Sequence, residues 1–324
     1  MTDYKQRILI LGSGRSGTTW LAKLIDAHPD VLYRHEPDIA ARTDAFPALP
    51  AVEDLPRYRD AAEAYLDEMA AARWLKCAGS PPFFRKSYRG ALGEAWRRAV
   101  IFKRKFDERM GAGAREAPDM IAARRLKNVN ILIKSVTSVG RMRLFAEADP
   151  ALKILHITRD PRRVVDSHEH GVALGLMKRG DYIHETFRSR DVEKYPYTEE
   201  EMLARPETDR AAFLWMVAND KAALETADKP NYLHVAYEDL CRDLRGELAR
   251  IYSFCRLDWG RQTEAFLKKL ERASSGATSY FSVLRPPAAG LDAPYKALDR
   301  ARLDAITGIV ACARHPSIRA YAAP

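Results

Sequence analysis

The sequence predicts an α/β protein, a parallel sheet flanked by helices, with a helical insertion after the second strand. Three observations carry that expectation. Short apolar runs alternate with helical pattern, which is how a parallel sheet covered on both faces reads. The first run passes through a glycine-rich turn straight into a helix. Residues 40–127 then break the alternation with Ala- and Arg-rich helical pattern interrupted by prolines.

Taken in order, Arg7–Leu11 (RILIL) suits a strand buried on both faces. Helical pattern starts at Thr18, with Leu21, Leu24 and Ile25 on one face. It should stop near His28-Pro29, because a proline disfavours helical backbone in the residue before it. Val31–Tyr33 reads as a second strand that delivers His35-Glu36-Pro37 at its end. Within the insertion Leu92, Trp96, Ala99, Phe106 and Met110 sit at helical spacing, and nine basic side chains outnumber three acidic ones between Arg85 and Arg109. This predicts a helix with a basic face. Asn130–Ile133 reads as a strand and Val139–Ala148 as a helix closed by Asp149-Pro150. Lys153–Thr158 is the next strand, followed by a helix over Pro161–His170 with proline in its first turn. Ala211, Leu214, Trp215, Ala218 and Ala222 mark a later helix. Tyr232–Ala236 is the last strand, followed by an amphipathic helix through Leu244, Leu248, Ile251 and Tyr252.

Of 324 residues, 47% are hydrophobic and 30% charged, the balance of a globular protein rather than a disordered or collagen-like one. There is no fixed-period repeat, low-complexity tract or linker, so residues 1–324 are expected to form one domain that includes the helical insertion at about 40–127. No apolar run approaches the roughly 18–20 residues of a membrane span. Met1–Arg7 is polar and lacks the layout of a signal peptide, which predicts a cytoplasmic protein. Lys plus Arg is 53 against 44 Asp plus Glu, a net charge of +9 that favours an anionic partner. Cys77, Cys241, Cys255 and Cys312 are scattered without metal-ligand spacing and read as reduced thiols.

The turn Gly12-Ser13-Gly14-Arg15-Ser16-Gly17 between a buried strand and a helix is an anion site for a physical reason. Glycines let the backbone wrap a phosphate, and the amides of the helix's first turn point at it. Gly12-x-x-x-x-Gly17-Thr18-Thr19 has the spacing of a triphosphate P-loop, but Thr18 stands where that loop needs lysine. The only cation of the loop is Arg15.

Arg15-Ser16-Gly17-Thr18-Thr19-Trp20 resembles the 5′-phosphosulfate loop of the sulfotransferases that use 3′-phosphoadenosine 5′-phosphosulfate (PAPS), approximately [KR]-S-G-T-[TS]-[WF]. The family's 3′-phosphate site is a strand ending in arginine with a serine eight residues on; Ile154 to Arg159 and Ser167 reproduce it. Arginine suits that task because its planar fork binds phosphate through two hydrogen bonds. Tyr237-Glu238-Asp239-Leu240 is similar to the family's Y-E-D-L segment. The resemblance runs in patches from residue 7 to about 260. It implies a P-loop-like fold, PAPS as cofactor (product PAP), and no metal. It implies contact with the sulfuryl group for Arg15, with the 5′-phosphate for Ser13, Gly14 and Ser16 to Thr19, and with the 3′-phosphate for Arg159 and Ser167. Trp20 is assigned to the adenine, with core packing as the alternative, and Tyr237 is assigned to the adenine.

Transfer to a hydroxyl needs a base. The family's cytosolic branch uses a histidine in K-T-H, and here Lys134-Ser135-Val136 puts valine in that place. His28-Pro29-Asp30-Val31 with Glu36-Pro37 is similar instead to the carbohydrate branch, which implies Glu36 as the base. Partial burial is expected to raise its pKa; the plain alternative is a salt bridge to Arg34 or another surface arginine. His35 is the second candidate base, and Lys134 either stabilises the leaving group or caps a strand. His168 and His170 fall on different helix faces and do not form a metal pair. The resemblance leaves acceptor binding to the insertion at about 40–127, where Arg85, Lys86, Arg97, Arg98, Lys103, Arg104 and Lys105 either recognise an anionic saccharide or lipid head group or form a solvated face, and membrane-surface contact through them is the related expectation. Arg285 to Pro287 and Tyr295 are candidates to close over the cofactor.

The function so predicted is O-sulfation of a carbohydrate, glycolipid or related hydroxylated small molecule. The alternative is a P-loop kinase or nucleotide hydrolase with a degenerate phosphate loop. Nucleic acid is not an expected partner, because no strand motif interleaves aromatic with basic residues.

Overall fold

The computed structural model describes residues 4–111, 113, 116–180, 182–273, 283–284, 286–287, 291 and 293–323. Five strands, β1 (Gln6–Leu11), β2 (Val31–His35), β3 (Asn130–Ser135), β4 (Lys153–Thr158) and β5 (Tyr232–Ala236), pair in parallel in the order β2-β3-β1-β4-β5. The helices are α1 (Thr18–Asp26), α2 (Leu55–Ala71), α3 (Leu75–Ala78), α4 (Gly90–Arg109), α5 (Met142–Ala148), α6 (Pro161–Ala173), α7 (Ile183–Phe187) and α8 (Glu199–Ala204). After them come α9 (Glu207–Thr226), α10 (Tyr237–Arg242), α11 (Leu244–Phe254), α12 (Arg261–Glu271), α13 (Arg300–Val310) and α14 (Pro316–Arg319). The sequence-predicted P-loop-like α/β architecture is what is found.

The β1 sequence explains why the sheet is covered twice. Successive side chains of a strand point to opposite faces. Ile8 and Ile10 therefore pack with α1, α11 and α12, while Leu9 and Leu11 pack with α2 and α5. β3 and β4 divide in the same way, with Leu132, Leu155 and Ile157 on the first side and Ile131, Ile133 and Ile154 on the second. A third cluster joins α6, α9 and α13 beyond the sheet. The chain leaves β1 toward β2 and later crosses to β4 on the other side of β1, so the strand order reverses beside β1. Ligands of open parallel sheets bind outside the carboxyl ends at such a reversal.

Predicted boundaries hold well for the strands and less well for the helices. Lys153–Thr158 and Tyr232–Ala236 form as read. The segment from Val139 starts as a 3-10 turn and becomes α-helical only at Met142. The insertion between β2 and β3 is helical, but its long helix α4 exposes the apolar residues that share helical spacing, a reversal taken up below.

Buried histidines couple this core to pH. Burial, with His234 nearby, pushes the His156 imidazole down to about 3; burial pushes His35 to about 3 and His234 to about 4. Neutral His156 is held between Asn219 Oδ1 at 2.9 Å and the Tyr232 hydroxyl at 3.0 Å. An unfolded chain protonates its histidines below about pH 6.5, whereas these three stay neutral in the fold until about pH 3 to 4. Stability should therefore fall as pH drops from about 6.5 toward 4, with a slope approaching three protons. Urea midpoints measured at pH 7 and pH 5 check this; equal stability at the two would place the three histidines outside the linkage.

Candidate active site

Most candidate residues lie at or just beyond the carboxyl ends of the strands, with Trp20 on α1 and Ser167 on α6. Gly12 follows β1 so closely against β4 that a Cβ there would run into the Ile157 carbonyl. Gly17 caps α1 with φ of 87°, and a Cβ on it would land in the Tyr237 ring. Between them the loop closes through Ser16 N–H donating to the Ser13 carbonyl at 3.1 Å. Asn219 of α9 donates to Ser13 Oγ at 3.0 Å and steadies the turn from behind. Ser16 Oγ is fully buried and has no hydrogen-bond partner among the described residues, and the first-turn amides of α1 have no intrahelical acceptor. An oxyanion of a phosphate is the group that such an oxygen and such amides satisfy together.

The second motif closes on the first. Arg159, after β4, donates through Nη1 to the Arg15 carbonyl at 3.1 Å, and its guanidinium lies 4.4 Å from the centre of the Tyr237 ring. Arg15 Nε donates to Ser167 Oγ on α6 at 3.0 Å. Tyr237 also meets Trp20 edge-on, 5.8 Å between centroids. Trp20 is buried in the core, with its indole Nε1 lacking a hydrogen-bond partner among the described residues. The Asp160 amide donates to Glu238 Oε1 at 3.0 Å, which ties the end of β4 to the start of α10. Loop, arginine, serine and tyrosine, spread over more than two hundred residues of chain, thus share one spot.

Glu36 and its neighbours form the other side of the site. Lys134 sits opposite His35 in the β2–β3 register and ion-pairs with Glu36 Oε1. Lys76 of α3 approaches Glu36 Oε2 to 3.4 Å, and His35 Nε2 lies 3.7 Å from the same oxygen. The expected rise of the Glu36 pKa is corrected here. Burial does push it up, but the Lys134 charge, His35 and the Lys134 hydrogen bond outweigh burial and hold it at about 2. The alternative of an arginine partner is corrected as well: Lys134 and Lys76 pair with Glu36, and Arg34 is engaged with Asp119 through two bonds of 2.8 and 2.6 Å. His35 accepts from or donates to the Tyr33 hydroxyl at 2.8 Å, and burial together with Lys134 keeps it neutral. Burial also lowers the Lys134 pKa, which Glu36 counteracts. Arg15 (φ 69°) and Glu36 (φ 49°) both have left-handed backbones, a conformation that costs a non-glycine residue roughly 1–3 kcal/mol and gathers at functional sites.

Several residues here carried no signal in the sequence. Asp38, two residues past Glu36, is buried and accepts through Oδ2 from the hydroxyls of Ser135, Thr137 and Ser138, which fixes the loop after β3. Lys76, Asp38 and Asn219 belong to no spaced pattern; only the folded chain brings them to the strand ends. The uniform basic face expected on the insertion is also corrected. Lys86 and Arg97 are interior, Lys86 paired with Asp26 and Arg97 donating to the Pro118 carbonyl at 3.0 Å. Tyr295 stacks against Arg163 of α6 at 4.0 Å, while Arg285 lies outside the described residues.

A parallel sheet with a glycine loop at the strand reversal and two arginines closing on it defines a P-loop-like phosphate-binding fold with lysine replaced. The chain belongs to the sulfotransferase family: the model of the Sulfotransferase family matches residues 7–261. It is 26% identical to human carbohydrate sulfotransferase 6 over 304 residues, 84% of this chain and 69% of that protein. It is also 26% identical to mouse carbohydrate sulfotransferase 5 over 299 residues, 82% of this chain and 68% of that protein. The chain thus spans about two thirds of the length of these relatives. Among solved structures, the sulfotransferase domain of the Synechococcus PCC 7002 olefin synthase aligns with a TM-score of 0.42 at 17% identity, covering 99% of this chain and 94% of that one. A mouse sulfotransferase complexed with PAP aligns with a TM-score of 0.43 at 12% identity, covering 98% and 88%. The family read from the loop and the arginine motif is the family found, and the relatives are of the carbohydrate branch that the Glu36-Pro37 segment resembles.

The loop packing has a direct test. Gly17→Ala forces a Cβ into Tyr237 and leaves a left-handed residue strained, so unfolding free energy should fall by about 2 kcal/mol. A urea titration measures it, and an unchanged midpoint would show that Tyr237 gives way freely.

Proposed function

We propose that the protein is an O-sulfotransferase that moves the sulfuryl group of PAPS onto a hydroxyl of a carbohydrate, glycolipid or related small molecule. The observation that carries the reading is the convergence of Arg15, Arg159 and Ser167 on a phosphate loop whose lysine position is Thr18. Ser16 Oγ, buried without a hydrogen-bond partner among the described residues, and the amides opening α1 fit the 5′-phosphate end. Arg159 with Ser167 fits the 3′-phosphate, and the Tyr237 ring beside Arg159 is assigned to the base, with Trp20 packed in the core behind it. PAPS, when bound, supplies the activated sulfuryl group.

The chain's own residues supply position and charge. Arg15, held by Ser167 and by its own left-handed backbone, offsets negative charge that grows on the leaving phosphate. Glu36 takes the acceptor's proton on a carboxylate oxygen. In the resting site Lys134 and Lys76 keep that oxygen ionised and poorly basic. A second anion beside the loop competes for Lys134, and Glu36 gains proton affinity as the lysine turns from it. Basicity is thereby linked to occupancy of the phosphate site. Carbohydrate acceptors are supported by the names of the relatives.

Calorimetry without added metal tests the cofactor. PAP should bind, and ATP with Mg²⁺ should give negligible heat; the reverse result would return the chain to the kinase reading. Arg159→Ala should weaken PAP about ten- to hundredfold, the loss of one or two charge-assisted hydrogen bonds. In a panel of hydroxylated sugars with PAPS, Glu36→Gln should keep PAP affinity and lose about a hundredfold in turnover. Full turnover in that variant would pass the proton to His35 or to water.

A further inference from the structure

The helix α4 is turned inside out. Two of the three residues of its buried row are charged: Glu94 is held by Arg89 at 2.8 Å and Arg97 by backbone carbonyls of Ala78 and Pro118, while Ile101 packs with Leu75, Ala78 and Ala117. Its solvent row is apolar. Leu92 is 89% exposed, Trp96 65%, Phe102 60%, Phe106 64% and Met110 72%. With exposed Ala99 between them, every step along this row is three or four residues, so the side chains form one continuous stripe about 27 Å long. A stripe of that size on a protein surface marks a contact.

Charge chooses the occupant. Gly90–Arg109 carries six basic and three acidic side chains, and one of the acidic ones, Glu94, is buried. Arg98, Lys105 and Arg109 line the border beside Phe102 at the same three- and four-residue spacing. Lys103 lies within the stripe itself, its side chain 73% exposed and bonded to Asp107 at 2.8 Å. A second copy of this chain would set these cations against their own likeness and would seal Lys103 into an apolar seam. An anionic bilayer surface accepts the same pattern: aromatic rings enter the boundary of the acyl chains, and lysine and arginine stems run back to the phosphates.

We propose that α4 docks the protein peripherally on an anionic lipid surface, with Leu92, Trp96, Phe102, Phe106 and Met110 inserted and Arg98, Lys103 and Arg109 at the lipid phosphates. The inward row of Glu94, Arg97 and Ile101 fastens the helix to the neighbouring segments around Ala78 and Pro118, so the helix is held in its docking orientation. A short chain of contacts links α4 to the site. Lys105 of α4 donates to the Gly79 carbonyl just past α3 at 2.8 Å, and α3 carries the Lys76 that meets Glu36.

Co-sedimentation with unilamellar vesicles tests the proposal on the full chain. Vesicles of phosphatidylcholine with about equal phosphatidylglycerol should pellet the protein, and phosphatidylcholine alone should pellet about tenfold less. The double variant Trp96→Ser, Phe106→Ser should lose about tenfold in binding to the anionic vesicles with an unchanged thermal transition, because both side chains are exposed. The charge variant Lys103→Glu, Arg109→Glu should lose binding at low salt most strongly. Wild-type protein left in the supernatant with both vesicles overturns the proposal, as does binding unaffected by the double variant. A wild-type dimer that the double variant dissociates would overturn it too, assigning the stripe to a second copy.

Discussion

Arg159 fastens the site. One guanidinium holds the carbonyl of Arg15 and covers the Tyr237 ring, and that ring fills the space that a side chain on Gly17 would need. The phosphate loop, the end of β4 and the start of α10 are thereby fixed against each other by a cation, a ring and a missing Cβ. Removing any of the three loosens the other two. This is also why the loop tolerates left-handed backbone at Arg15: the strain is met by contacts on both of its sides, Ser167 for the side chain and Arg159 for the carbonyl.

Parallel strands make such a convergence cheap to encode. Each strand ends at the same edge, so a residue placed one position beyond a strand reaches the common site whatever its distance in the chain. Arg159, Glu36, Tyr237 and the glycine loop are all such residues. For this reason the sheet and the larger part of the candidate site could be read from the sequence: KILHIT is a buried run, YLHVA is a short, partly buried run at the edge of the sheet, and chemistry follows the sharp end of each.

What escaped the sequence is what depends on direction rather than on pattern. The spacing of Leu92, Trp96, Phe106 and Met110 shows that they share a face of α4, but periodicity does not say whether that face looks inward. Here buried Glu94 and Arg97 find carbonyls and an ion pair inside, and the apolar side is left outside. The charge state of Glu36 escaped for a related reason. Its burial was foreseeable from a strand end, whereas Lys76 reaches it only through the path of the insertion, and Lys134 only through the β2–β3 register. Asp38 and Asn219, which hold the loops after β3 and β1, are single polar residues without a motif.

The insertion is moored to the phosphate-loop helix by charges out of water. Lys23 of α1 bonds Asp26 at 2.9 Å and the Ser80 carbonyl at 2.7 Å, and Lys86 bonds the same Asp26 at 2.8 Å. Removing one partner from a buried group of this kind leaves an uncompensated charge that costs roughly 3–5 kcal/mol. The insertion is thus not a cassette. A chimaera that exchanges residues 40–127 for those of a relative has to carry a matched Lys23 and Asp26 with it. Without them the graft would be rejected at α1, and the helix that frames the phosphate site would be the first element to move.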